Sequence, residues 1–289
     1  MRALTLALLG LSVAPFVAAA AGCTSPLGDP AADAGGPTPL GSGLRLHQII
    51  PPATGDKVDG FPPNPMHPAQ NQLVSVTGES VITVDTFDET MDGKSVGSLY
   101  VQDVGSQLPY SGIECYSTLY QPASLKVAPG DVIDLYGQYQ DFAGPSTALF
   151  PLGQALPEMA KPNATFRFEY TVPTPVVVDP NDFSTADEDH FYMGQRWLGM
   201  LVEVKGGTLG TWTADGKGRL SGNIVPNATG VAIDNELFDM KASDYPPGTT
   251  FKSIVGVPTF FFSFHIAPRS ATDIVVDKLG TPVDAGAHD

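Results

Sequence analysis

The sequence VAPGDVIDLYGQY, residues 127–139, opens on a Pro-Gly turn, runs through β-branched and aromatic residues, and is interrupted by a glycine. Proline sets φ for the turn, glycine supplies the positive φ that other residues avoid, and the residues that follow suit a pleated strand. A looser copy, YPPGTTFKSIVGV, stands at residues 245–257. Its turn glycine is Gly248 where the first has Gly130, and its interrupting glycine is Gly256 where the first has Gly137. The two turn glycines lie about 118 residues apart. That is too far for a solenoid repeat and suits two copies of one small domain.

Outward from each copy the same grammar continues. From Leu73 the runs are LVSVTGESVITVD, SLYVQD, GIECYS, VIDLYGQY and TALFPL, with Gly78 breaking the first and a further strand expected over residues 165–171. Later come MLVEVKGGTLGTWTAD, RLSGNIVP, TGVAID, TTFKSIVGV and FFFSFHIAPRS, with Gly206-Gly207 at the corresponding break. A long first strand with a glycine bulge, a tight second and third, a connector over residues 117–129 and a closing pair is the order an OB-type barrel requires. The predicted fold is therefore all-β, two OB-like five-stranded barrels in tandem. Domain 1 spans residues 71–172, an acidic interdomain linker 173–192, domain 2 residues 193–280, and a disordered tail 281–289. Loops 86–97 and 140–146 would rim the usual binding face of the first barrel.

Charge narrows the partners. The chain carries 31 acidic and 15 basic residues, a formal charge of −16. Between residues 73 and 160 only Lys94 and Lys126 are basic, against eleven acidic residues. A single-strand binder needs a basic groove along its stacking aromatics, and the first module has tyrosines without that groove, so nucleic acid is an unfavoured partner. The acidic run Asp179, Asp182, Asp187, Glu188 and Asp189 lacks the spacing and the glycine of an EF-hand loop and reads as a solvated charge run.

The first 22 residues read as an export signal: Arg2, then an apolar run rich in alanine and leucine that ends on small residues before Cys23. Ala20-Ala21-Gly22-Cys23 resembles a bacterial lipobox, departing from it where Ala20 replaces the usual leucine. The resemblance implies lipid attachment at Cys23, and Thr24 after it resembles an outer-membrane address. Residues 23–70, rich in proline and glycine, read as a flexible tether, with LRLHQII (residues 44–50) as an apolar exception that adds an edge strand or packs on the first module. With Cys23 lipidated, Cys115 is a lone thiol suited to a buried core position.

No nucleophile elbow, zinc-binding helix, phosphate loop or dinucleotide fingerprint is present, so no catalytic, cofactor-binding or metal residue is assigned. His47 and His67 have no ligand-spaced companion, and His265 between Phe264 and Ile266 reads as a core histidine. Arg269, four residues before Asp273, reads as a guanidinium tying the last strand down. With GMLVEV at residues 199–204 and APRSATDI at residues 267–274, the chain resembles the tandem OB-like domains of bacterial exported lipoproteins and of non-catalytic parts of extracellular nucleases. That resemblance implies the fold and a structural role for Gly130, Gly137, Gly248, Gly256, Arg269 and Asp273. The expected function is a non-enzymatic, lipid-anchored module at the outer membrane or cell surface that binds a cell-envelope protein, a glycan or another non-polyanionic ligand. The alternatives are single-stranded nucleic-acid binding and an accessory role beside an exported hydrolase or nuclease.

Overall fold

The computed structural model describes residues 40–55, 61–93, 97–151, 154–225 and 231–281; Cys23, the export signal and residues 282–289 of the tail lie outside them. The described chain is mostly β, in two sheets. The first holds β1 (Leu40–Leu44), β2 (Leu73–Val84), β3 (Leu99–Asp103), β4 (Gly112–Tyr116), β5 (Leu119–Gln121), β6 (Asp131–Phe142) and β7 (Leu156–Glu169), with a short helix α1 (Leu46–Ile49) after β1. The second holds β8 (Val176–Val178), β9 (Val202–Lys205), β10 (Thr208–Ala214), β11 (Leu220–Val225), β12 (Ala232–Asp234), β13 (Thr250–Phe260), β14 (Phe264–Ala267) and β15 (Ile274–Lys278), with helix α2 (Glu188–Gln195) between β8 and β9.

In the first sheet β2 pairs antiparallel with β3, β3 with β4, β4 runs parallel to β7, and β7 pairs back through β6 to β2. The second sheet follows the same path. There β9 pairs with β13, β13 with β14, β14 runs parallel to β12, and β12 leads through β11 to β10, which touches β13 at Thr208. What is one bulged strand in the first module, β2 with Gly78 at φ +76°, is split into β9 and β10 in the second by Gly206 and Gly207, both at positive φ.

The last strand of the first module differs from expectation. Residues 147–151 of TALFPL form no strand, and β7 is a single 14-residue strand that absorbs most of residues 165–171. Pro157 and Pro162 disguise it in the sequence. Pro162 is tolerated because the β6–β7 register slips between Tyr136 and Gln138, so the ladder does not demand a donor there. Gly137 sits opposite that slip: a Cβ on it would come within 2.9 Å of the Pro162 Cα. Gly256 plays the same part on β13, where a Cβ would stand 2.7 Å from the Ala267 carbonyl oxygen on β14.

Residues 44–50, the exception within the expected tether, pack into the first core. Leu46, Ile49 and Ile50 are buried beside Val74, Val101 and Ile133. Both oxygens of Asp103 hold the start of α1, accepting from the Leu46 N–H at 2.8 Å and the His47 N–H at 3.1 Å. The acidic crossing is equally structured. Asp179 accepts from the Asn181 N–H, Asp187 caps α2 by accepting from the His190 N–H, and Asp182 accepts from the Trp197 indole.

The two modules are not separate beads; the described residues of both belong to one compact unit. Ile82 and Tyr100 of the first pack against Leu201, Leu237, Val257 and Ala267 of the second. The Tyr110 N–H donates to the Arg196 carbonyl at 2.7 Å, and the Leu201 N–H donates to Gln102 Oε1 at 2.9 Å. Gly112 and Gly199 let the two backbones meet. Phe150, on the loop after β6, leaves its own module and enters the other core, edge-on to Phe260 and Phe262.

Candidate ligand cavity between the modules

Register places the site. Tyr100, Glu114 and Glu158 are successive partners across β3, β4 and β7, so they form one row on one face. Ile113 and Cys115, on either side of Glu114, point the other way into the core, where the Cys115 thiol is buried and free. The face carrying the carboxyl groups meets the second module, and between them lies a cavity of about 480 Å³. Asp85, Glu89 and Asp92 reach it from the end of β2 and the loop after it, and Phe142 from the end of β6. The second module contributes Arg219, Asp234, Glu236, Thr259, Phe260, Phe261 and His265.

Seven carboxyl groups thus face a single guanidinium among the described lining residues. Arg219 Nε donates to Glu89 Oε1 at 3.1 Å, and its guanidinium stands 5.9 Å from the Phe261 ring centre. Glu236 is held by two donors, the Tyr100 hydroxyl at 2.6 Å and the Thr259 hydroxyl at 3.0 Å. Glu114 accepts from the Ser98 hydroxyl at 2.7 Å. Glu89 Oε2 is buried with no hydrogen-bond partner, in a residue only 5% exposed.

Burial and mutual repulsion raise Asp85, Glu114, Glu158, Asp234 and Glu236 above the ordinary carboxyl range. Asp85 is pushed up to about 7 by burial, with Glu236, Glu89 and Glu114 adding to it against the hydrogen bond from the Phe87 N–H. Glu114 rises to about 7 through burial and then Glu236, and Glu158 to about 8 through burial and then Glu114. Asp234 and Glu236 are raised as well, chiefly by burial. Burial moves His265 the other way, down to about 4. At neutral pH its ring is uncharged, so the 4.0 Å approach to Asp234 is not an ion pair.

His265 was read from the sequence as a core residue; the structure places it on the cavity wall. The other residues singled out in advance lie elsewhere. Gly130 and Gly248 take the positive φ of their turns, +97° and +86°. Arg269 grips Asp273 through Nε at 2.9 Å and Nη2 at 2.8 Å, away from the cavity. His47 is joined to Asp103, and His67 to the Ile50 carbonyl. The carboxyls of the cavity were counted in the sequence only as net charge. The signal that could have found them is an acid inside an apolar strand run, as in GIECYS and TGVAID.

Comparison with protein-family models and with curated proteins finds no match for the chain. Among the described residues no trio of His, Cys, Asp or Glu stands at metal-holding spacing, and no helix is long and apolar enough to cross a membrane.

Arg219→Ala tests the Arg219–Glu89 ion pair. It leaves a buried carboxylate without its cation, which destabilises by about 1–3 kcal/mol, the lower figure reflecting how much of Arg219 water already screens. Denaturant titration at pH 8 should show that loss, and an unchanged midpoint would mean the pair contributes nothing to stability.

Proposed function

We propose that the chain is an exported, lipid-anchored binding protein of two OB-type barrels that receives a small, non-anionic ligand where the barrels meet. The pairing path, identical in both sheets and including the parallel contact of the third strand with the fifth, supports the barrel reading. The observation that carries the function is the cavity. OB barrels bind on the face of their second and third strands between two loops, and Glu114 on the third strand, Ser98 just before the second, the loop after β2 and the end of β6 all line the cavity. Its size falls within the roughly 300–1,000 Å³ of small-molecule sites. Its carboxyls repel polyanions, and Arg219, a basic residue that a nucleic acid would need in the second module, is engaged by Glu89.

A single-stranded oligonucleotide offered at about 20 mM salt should therefore not bind, whereas a neutral or cationic small solute should, and Ser221→Trp, which fills the cavity, should abolish its binding. Oligonucleotide binding that weakens steeply with salt overturns the reading. For the anchor, Cys23→Ser should release the protein from membranes on fractionation, because one acyl-bearing residue supplies the hold. A variant that stays with the membrane at unchanged level refutes lipidation as that hold.

One observation favours a second reading, acid–base chemistry on a bound glycan. Glu114 and Glu158 are register partners on adjacent parallel strands, and both are held in the range a general acid needs. Release of reducing sugar from an oligosaccharide, lost in Glu158→Gln while binding persists, would establish it.

A further inference from the structure

The geometry points to an organic cation, an ammonium or guanidinium compound the size of a diamine, as the ligand of this cavity, seated on Glu89 against Phe261. The inference rests on the binding reading above and names its ligand class. Glu89 lines the cavity and is 5% exposed, yet only one of its oxygens is hydrogen-bonded; Oε2 is buried without a donor. Leaving such an acceptor unmade costs about 1–3 kcal/mol, and a ligand N–H restores it. The chain already displays the required chemistry with its own side chain. The Arg219 guanidinium donates to Glu89 at 3.1 Å and stands 5.9 Å from the Phe261 ring centre, the carboxylate-and-aromatic pairing that recognises a cation.

Size and spacing choose the kind of cation. The cavity of about 480 Å³ has the volume of some sixteen waters at about 30 Å³ each, far beyond one bare ion. The described acids make no three-ligand metal cluster. They are spread instead over both modules, Asp85 and Glu158 on one side and Asp234 and Glu236 on the other, so a ligand with a cationic group at each end meets acids from both.

The test is calorimetric titration of the full mature chain at pH 8 with putrescine, agmatine, 1,4-butanediol, calcium chloride and a neutral disaccharide. The diamine and the guanidinium compound should bind, and the diol, which matches putrescine without the charge, at least tenfold more weakly. Glu89→Gln should weaken amine binding tenfold or more. Should that variant fail to fold, Phe261→Leu, at a ring already 46% exposed, should weaken it several-fold. Binding of calcium alone, or of the disaccharide with an affinity unchanged in Glu89→Gln, overturns the organic cation and leaves the cavity as a binding site. If no probe binds at millimolar concentration, the inference and the reading beneath it fall together.

Discussion

Gly112→Val is expected to lower the melting temperature by on the order of 10 °C. A Cβ at residue 112 would stand 2.5 Å from both the Gly199 carbonyl carbon and the Met200 nitrogen, backbone atoms of the other module that cannot rotate aside. Overpacking usually costs about 1–3 kcal/mol, and a clash with main chain on a buried seam belongs at the upper end. At about 2–4 °C per kcal/mol for a chain somewhat smaller than this one, that gives the figure. Strand propensity alone argues the opposite sign, since valine favours a strand and glycine weakens it. A melting temperature unchanged or raised in Gly112→Val would mean the two backbones do not meet there.

The second large effect is on pH. Asp85, Glu114 and Glu158 hold protons more tightly folded than unfolded, with folded values of about 7, 7 and 8. The stability they contribute is whole below about pH 4, the ordinary carboxyl range, and is lost as the pH rises through 7 to 8. His265, held down to about 4, contributes with the opposite sign: its share is whole above 6.5 and is lost as the pH falls through 4. Three carboxyls outweigh one imidazole, so the ligand-free protein should be most stable near pH 4 and melt at least about 5 °C lower at pH 8.5. Glu158→Gln should recover part of that loss at pH 8.5 and change little at pH 5.5. A melting temperature flat from pH 5.5 to 8.5 would show that these carboxyls ionise in the fold as easily as in water.

Much of the β architecture was legible in the sequence because it is written locally. Pro129-Gly130 and Pro247-Gly248 mark turns, and alternating apolar residues mark strands, within windows of about a dozen residues. The end of the first module was not legible, because Pro157 and Pro162 read as breakers until the facing slip at Gly137 is known. The cavity was less legible still. Glu114 and Glu236 come together around Tyr100, whose hydroxyl reaches across 136 positions to Glu236, a contact that no local pattern encodes. Nor does any local pattern show that Arg219 is engaged, because its partner Glu89 stands 130 positions away.

The reach of Phe150 into the other module sets a schedule for the newborn chain. Strand β7 ends at Glu169, whereas the rings that receive Phe150, at residues 260 and 262, emerge some ninety residues later. At about 5–20 residues per second, synthesis leaves that phenylalanine uncovered for roughly 5–20 s after the rest of its own module has been made. During that interval the nascent protein is an attractive client for any chaperone that reads exposed aromatic side chains, and a chain truncated after residue 172 would remain one permanently.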